Sequence, residues 1–199
     1  TLFNVVTGLQ PPSGGRVLFD GRDITRMRPT GRARAGISRT FQMLETFNSL
    51  SVEHNVRVAV ETRRRWDRTG ADPRRETGDL LDRLGLHGLA DVMVGALPTG
   101  TARLVELARA LAARPKVLLL DEPSSGLNGD ETDAMATLLR QLVDEHGIGI
   151  LLVEHDMEFV MGLCAHIHVL DFGSIIATGT PAAVQADPTV RRAYLGGAG

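Results

Sequence analysis

Lysine is almost missing from this chain of 199 residues: Lys116 is the only one, and arginine supplies the other basic side chains. Cysteine is equally scarce. Cys164 stands alone, so no internal disulfide can form, which suits a reducing cytosol. It lies in the mostly apolar stretch Met161-Gly162-Leu163-Cys164-Ala165, where a packed structural thiol is expected rather than a reactive one. No apolar run approaches the ~18 residues of a membrane span. No signal-peptide pattern is visible. An excess of one charge is also lacking: the formal net charge is -2, which excludes a global pull towards nucleic acid or acidic lipid. Repeats and low-complexity segments are absent.

What is present fits one sizeable globular domain, with 43% hydrophobic and 23% charged residues. The most informative segment is Val117-Leu118-Leu119-Leu120-Asp121-Glu122. A short apolar run, β-branched at its start and ending in two carboxylates, reads as a buried parallel strand. In an open α/β sheet, ligands sit beyond the carboxyl ends of the strands. Asp121 and Glu122 would then project into a site and divide the work of phosphoryl transfer. One holds Mg²⁺ and the other takes the proton of an attacking water. The plain alternative is a strand that ends in an acidic turn.

Elements follow along the chain. Residues Thr1 to Thr7 read as helical and stop at Gly8. Because this stretch looks like the middle of a helix, residues are expected to be missing upstream. Arg16 to Gly21 reads as a short strand closed by an Asp-Gly hairpin signal. Pro29 to Ala35 reads as a helix and Ile37 to Gln42 as a strand. From Ser51 to Leu97 the pattern is helical and highly charged, broken at Arg68 to Pro73, with Asp79 to Leu86 as a short amphipathic helix. A helix over Thr101 to Arg114 places Leu104, Leu107, Ala108 and Leu111 on one face and ends at Pro115. Further helices are expected over Gly129 to His146 and Met157 to Leu163, with strands over Ile148 to Val153, His166 to Leu170 and Ile175 to Ala177. Two short helices after Thr180 and Pro188 close the chain. Strands alternate with helices, so an α/β fold with a largely parallel sheet is expected.

Polar side chains fall at the ends of three apolar strands. Gln42 follows Phe41, Asp121-Glu122 ends the central strand, and His155 follows the strand at 148–153. Alone, Gln42 is a polar strand end and His155 a hydrogen-bonded structural histidine. In this order, with an amphipathic helix just before the acidic strand, coincidence is a poor explanation.

These residues resemble the ATP-binding subunits of ABC transporters over essentially the whole chain. Asp121-Glu122-Pro123 is similar to the Walker B end. Ser125-Gly126-Leu127-Asn128 resembles the D-loop, with asparagine for the usual aspartate. Gln42 resembles the Q-loop and His155 the switch histidine. Leu107 to Leu111 is similar to the helix after the signature loop. Gly36 to Gln42 and Asp187 to Gly196 narrow the likeness to ATPases of branched-chain amino acid importers, although related importers and lipid-linked exporters share much of both.

The resemblance implies a fold of P-loop NTPase type: one ABC ATPase domain over 1–199, truncated at its N-terminus. Residues 1–50 would be the first part of the core, 51–100 a helical insert, and 101–199 the second part with a C-terminal tail. It implies MgATP as cofactor, with Asp121 and Gln42 on the metal and Glu122 as general base. His155 would contact the γ-phosphate and Thr1 would lie near the α-phosphate. Thr99, Gly100, Thr101 and Ser125 would serve nucleotide bound across a head-to-tail dimer with a second ATP-binding subunit, identical or not. Integral permease subunits are the implied membrane partners, met around Met43 to Asn55, with a solute-binding protein acting indirectly. The implied location is cytoplasmic, peripheral on the inner face of the cell membrane.

Two departures stand out. The family's Gly-x-x-x-x-Gly-Lys-[Ser/Thr] phosphate loop is absent, and Lys116 precedes the acidic strand, at its opposite end. The loop and the N-terminal strands around it are therefore expected to be lost upstream, leaving these residues inactive and poorly stable on their own. The signature Leu-Ser-Gly-Gly-Gln appears as Leu97-Pro98-Thr99-Gly100-Thr101. Both departures keep a regulatory or decayed ATPase-like subunit open, and an exporter's ATPase remains a further alternative. The run Arg63-Arg64-Arg65-Trp66-Asp67-Arg68, with Arg74-Arg75, suggests nucleic-acid binding only weakly. Glu61, Asp67, Asp72, Glu76, Asp79 and Asp82 interleave with it, so a solvated helical face is expected and no nucleic-acid partner.

Overall fold

The computed structural model describes all residues except 68, 70, 71 and 196–199. A three-stranded parallel sheet lies at its centre, in the order β3 (Ile37–Arg39), β4 (Val117–Asp121) and β5 (Gly149–Val153). Ile37 pairs with Val117, and Val117 with Gly149, so all three strands run in one direction and end near one another. Leu118, Leu119 and Leu120 are at most 1% exposed. Both faces of β4 are covered, which is why its sequence is an unbroken apolar run rather than an alternation. Leu118 and Leu120 join the main core with α5 (Thr99–Ala112) and α6 (Gly129–His146). Leu119 turns to the other face and meets Phe3 of α1 (Leu2–Thr7), Ile24 and Ile37.

The sheet is not extended by the remaining strands. Two antiparallel hairpins stand apart from it: β1 (Leu18–Phe19) with β2 (Arg22–Asp23), and β6 (Ile167–Asp171) with β7 (Ser174–Gly179). The first turns through Asp20 and Gly21, both at positive φ, as an Asp-Gly hairpin requires. Among the described residues β5 is an edge strand, with Leu151 39% and Val153 41% exposed.

Helices α2 (Pro29–Ala35) and α7 (Met157–Leu163) fall where expected. Strand β3 is shorter than expected, because Phe41 N–H leaves the ladder for the Glu106 side chain. Helix α3 (Val52–Arg63) is capped by Ser51, which accepts from His54 N–H. Helix α4 (Pro73–Arg83) starts six residues before the Asp79 expected for it. Asp72 accepts from Arg74 N–H and Pro73 occupies the first helical position, so the supposed breaker opens the helix. Arg68, Gly70 and Ala71 of that expected break lie outside the described residues, as does Gly196 of the tail. Two 3-10 turns, His87–Leu89 and Val94–Ala96, lead into α5. Helix α5 begins at Thr99, so the Leu97–Thr101 segment is half loop and half helix. Short helices α8 (Pro181–Ala186) and α9 (Pro188–Val190), and the π-turn Arg191–Leu195, follow β7.

The arginine run is not uniformly solvated. Arg63 is 1% exposed and donates both Nη2 bonds to Glu76, at 2.8 and 2.7 Å. Its Nη1 reaches Asp67 at 2.8 Å, while Arg114 Nε binds Glu76 at 3.0 Å. One buried carboxylate thus joins α3, α4 and the end of α5. Trp66 is covered by Arg34, 5.4 Å from its ring. Helical periodicity in a charged segment could not show which arginine turns inward.

Removing one partner of a buried ion pair leaves the other charge uncompensated. Glu76→Ala should therefore lower unfolding free energy by about 3 kcal/mol in urea titration. Glu61→Ala, on an exposed pair with Arg57, should cost under ~1 kcal/mol.

Candidate active site

Glu122 is the first residue beyond β4. Its N–H donates to Val153 O at 2.9 Å, while its φ of 48° is a left-handed conformation rare for a side chain of this size. Its Oε2 accepts from Gln42 Nε2 at 3.2 Å. Asp121, one residue earlier, receives Arg39 Nη2 at 3.1 Å, and its N–H donates to Thr40 Oγ1 at 3.4 Å. The parallel register brings Gln42, Asp121 and Glu122 together across 80 residues of chain. Arg39 is held in place by Asn4 Oδ1 at 2.8 Å and lies 4.3 Å from the Phe41 ring.

His155 follows β5 on the same side of the sheet. Its side chain is 72% exposed, and Nδ1 lies 3.6 Å from Glu154 Oε2. Among the described residues its ring makes no hydrogen bond to Gln42, Asp121 or Glu122. Ser125 N–H donates to Glu122 O at 3.1 Å, and Ser125 O accepts from Arg103 Nε at 3.0 Å. Thr99, Gly100 and Thr101 form the first turn of α5, where Gly100 lies against Glu131 of α6 and Thr99 against Gly126. A Cβ at Gly100 would lie 2.6 Å from Glu131 Oε1, so a larger residue there would push the Glu131 side chain aside. Asn128 caps α6 reciprocally with Glu131, which gives the asparagine a structural task of its own. Thr1 is exposed at the head of α1, its carbonyl accepting from Val5 N–H. Burial pushes the Cys164 thiol up, as a packed thiol requires.

Four charged residues of the site escaped the reading of the sequence: Arg39, Arg103, Glu106 and Glu154. Arg103 also reaches Gln42 O at 3.4 Å, so one side chain touches the loops carrying both Gln42 and Ser125. Glu106 is buried and accepts from Phe41 N–H at 3.0 Å. Arg109 donates to Glu45 O and lies 4.6 Å from the Phe47 ring. For those on α5 the available signal was spacing: charges at 103, 106 and 109 recur every three residues along a helix otherwise apolar on that side.

Residues 1–125 match the family described as ABC transporter, and residues 174–199 that described as branched-chain amino acid ATP-binding cassette transporter. BraF of Pseudomonas aeruginosa, a high-affinity branched-chain amino acid transport ATP-binding protein, is 36% identical over 98% of this chain and 82% of its own length. LptB of Haemophilus influenzae, a lipopolysaccharide export system ATP-binding protein, is 34% identical over 98% of this chain and 80% of its own. The solved structure of MJ1267, an ATP-binding cassette of an ABC transporter, superposes with a TM-score of 0.86 at 30% identity, over 98% of this chain and 82% of that one. The chain belongs to the ABC transporter family of ATP-binding proteins, nucleotide-binding subunits with an α/β fold. Within it, the chain is related to branched-chain amino acid transport ATPases.

Burial raises the Glu106 carboxyl above its ordinary 4.5, against the lowering effect of the Phe41 and Glu45 N–H groups and of Arg103 and Arg109. The folded state then holds this proton at pH values where the unfolded chain has lost it. The stabilisation is complete below about 4.5 and is lost as pH rises through the folded value. Unfolding free energies measured between pH 4 and 7 should show wild type losing ground to Glu106→Gln as pH rises. An opposite slope would refute the assignment.

Proposed function

We propose that this protein is the ATP-hydrolysing subunit of a transporter importing branched-chain amino acids or similar small solutes. The Gln42–Glu122 hydrogen bond beside Asp121, in a chain of this family, is the observation that carries the catalytic reading. The match of residues 174–199 and the likeness to BraF support the importer reading. The likeness to LptB favours a second one, the ATPase of an exporter. Co-purification with permease subunits and transport assays on reconstituted complexes separate the two.

Asp121, Gln42 and Glu122 offer hard oxygen donors, a set that fits Mg²⁺ held by few protein ligands and by phosphate oxygens. Bound MgATP supplies the phosphoryl group, and the metal neutralises charge on its oxygens. Asp121 and Gln42 would hold that metal. Glu122, kept in place by Gln42 and by its own constrained backbone, accepts the proton of the attacking water. His155, exposed at the next strand end, would contact the terminal phosphate, and Thr1 would lie near the α-phosphate. Thr99, Gly100, Thr101 and Ser125 serve nucleotide at the interface with a second ATP-binding subunit. Residues Met43 to Asn55 meet the permease. Met43 is 81% and Phe47 45% exposed, and Glu45, Phe41 and Arg109 line an open groove of about 350 Å³ between α2, α3 and α5. The protein works peripherally on the inner face of the membrane.

A positioned base contributes ~10²–10⁴ in rate. In the full gene product, Glu122→Gln should keep ATP binding and lose turnover by about 10²-fold or more. Full turnover in that variant would remove Glu122 from the role. Met43→Asp should leave the turnover of the isolated protein intact and abolish its stimulation by permease subunits. Unchanged stimulation would place the membrane contact elsewhere.

A further inference from the structure

Glu154 is placed unlike any other acid of the described residues. Its side chain is fully buried, although it directly precedes the exposed His155. Four donors from two loops converge on it. Oε1 accepts from Ser124 N–H at 2.9 Å and from Ser124 Oγ–H at 2.5 Å. Oε2 accepts from His155 N–H at 2.9 Å and from Asp156 N–H at 3.4 Å. One carboxylate therefore ties the turn after β4, which carries Glu122, to the turn after β5, which carries His155.

The pairing of Asp121 with Val153 brings these turns side by side but does not fix them. Glu122 has a left-handed backbone that its own side chain disfavours, so something must hold the turn. Ser124 lies two residues on, and Ser125 N–H closes the turn onto Glu122 O at 3.1 Å. Anchoring Ser124 therefore anchors Glu122. On the other side, Oε2 gathers two successive N–H groups, and Asp156 then caps α7 through Glu158 and Phe159 N–H. A glutamine could not do the same. Its carbonyl serves one loop, and its amide NH₂ then faces the donors of the other. Aspartate is a methylene too short to span both.

We propose that Glu154 is a positioning residue that sets Glu122 and His155 in one geometry, so that neither catalytic loop moves without the other. The proposal rests on the ATPase reading for its effect on turnover, but not for its effect on the loops. The experiment uses the full gene product assembled with its permease subunits and compares wild type, Glu154→Gln, Ser124→Ala and the double variant. Steady-state kinetics with MgATP and amide hydrogen exchange are both read. Glu154→Gln should lower kcat about 10²-fold with KM changed less than about 3-fold, since the base is displaced and nucleotide binding is not. Exchange should speed up in both residues 122–127 and residues 155–157. Ser124→Ala should lower kcat by only a few fold, yet speed exchange at His155 and Asp156 across the clamp. The double variant should be no worse than Glu154→Gln alone, because the hydroxyl acts through the carboxylate.

Wild-type kcat in Glu154→Gln, faster exchange in one loop alone, or additive losses would overturn the proposal. If Glu154→Gln fails to fold, Ser124→Ala decides: an unchanged exchange rate at His155 overturns the clamp. An inactive wild type would sink the ATPase reading, and the exchange measurements alone would then settle whether Glu154 couples the two loops.

Discussion

Burial of β4 on both faces is the constraint on which the rest depends. Leu118 and Leu120 face the helices of the main core, and Leu119 faces α1 and Ile37, so the strand cannot slip by one residue. A slip would exchange the faces and take Asp121 away from its ladder partner Val153. Because β3 and β5 pair with β4 in parallel, their ends are brought to the same level by the same register. Gln42, Asp121, Glu122 and His155 gather there as a consequence of packing that none of them makes.

Around that frame, buried charges do work that apolar packing cannot. Each one aims at a loop. Arg103 holds the carbonyls of Ser125 and Gln42, Glu106 holds Phe41 N–H, and Glu154 holds the turns at Ser124 and at His155. Arg63 and Glu76 do the same for the junction of α3, α4 and α5. Loop backbone carries donors and acceptors that must be satisfied when buried, and side-chain ions are the groups with enough reach and capacity to satisfy several at once. The geometry of the carboxylate pair thus depends on residues that touch no substrate.

Much of this was legible in residue order. The β4 run, the Asp-Gly hairpin, α2, α6 and α7 were each marked by local pattern or by a capping residue. Polar residues at three strand ends marked the candidate site. Where the reading erred, a local signal was outweighed by a distant partner. Gln42 was assigned to a strand, but Glu106, 65 residues away, takes Phe41 N–H out of the ladder. Asp72-Pro73 resembled a break because polar composition hid a helix start. Arg63 belonged to a charged run and gave no sign that Glu76 would bury it.

The sequence by itself determined the fold class, the family and the identity of the acidic, amide and imidazole groups at the strand ends. These follow from periodicity and motif, which are properties of neighbours along the chain. Only the tertiary structure decided that Gln42 meets Glu122, that Arg39 meets Asp121, and that Glu154 joins the two loops. Those contacts span 30 to 82 residues. They depend on register and burial, which come into being only when separate segments share one sheet.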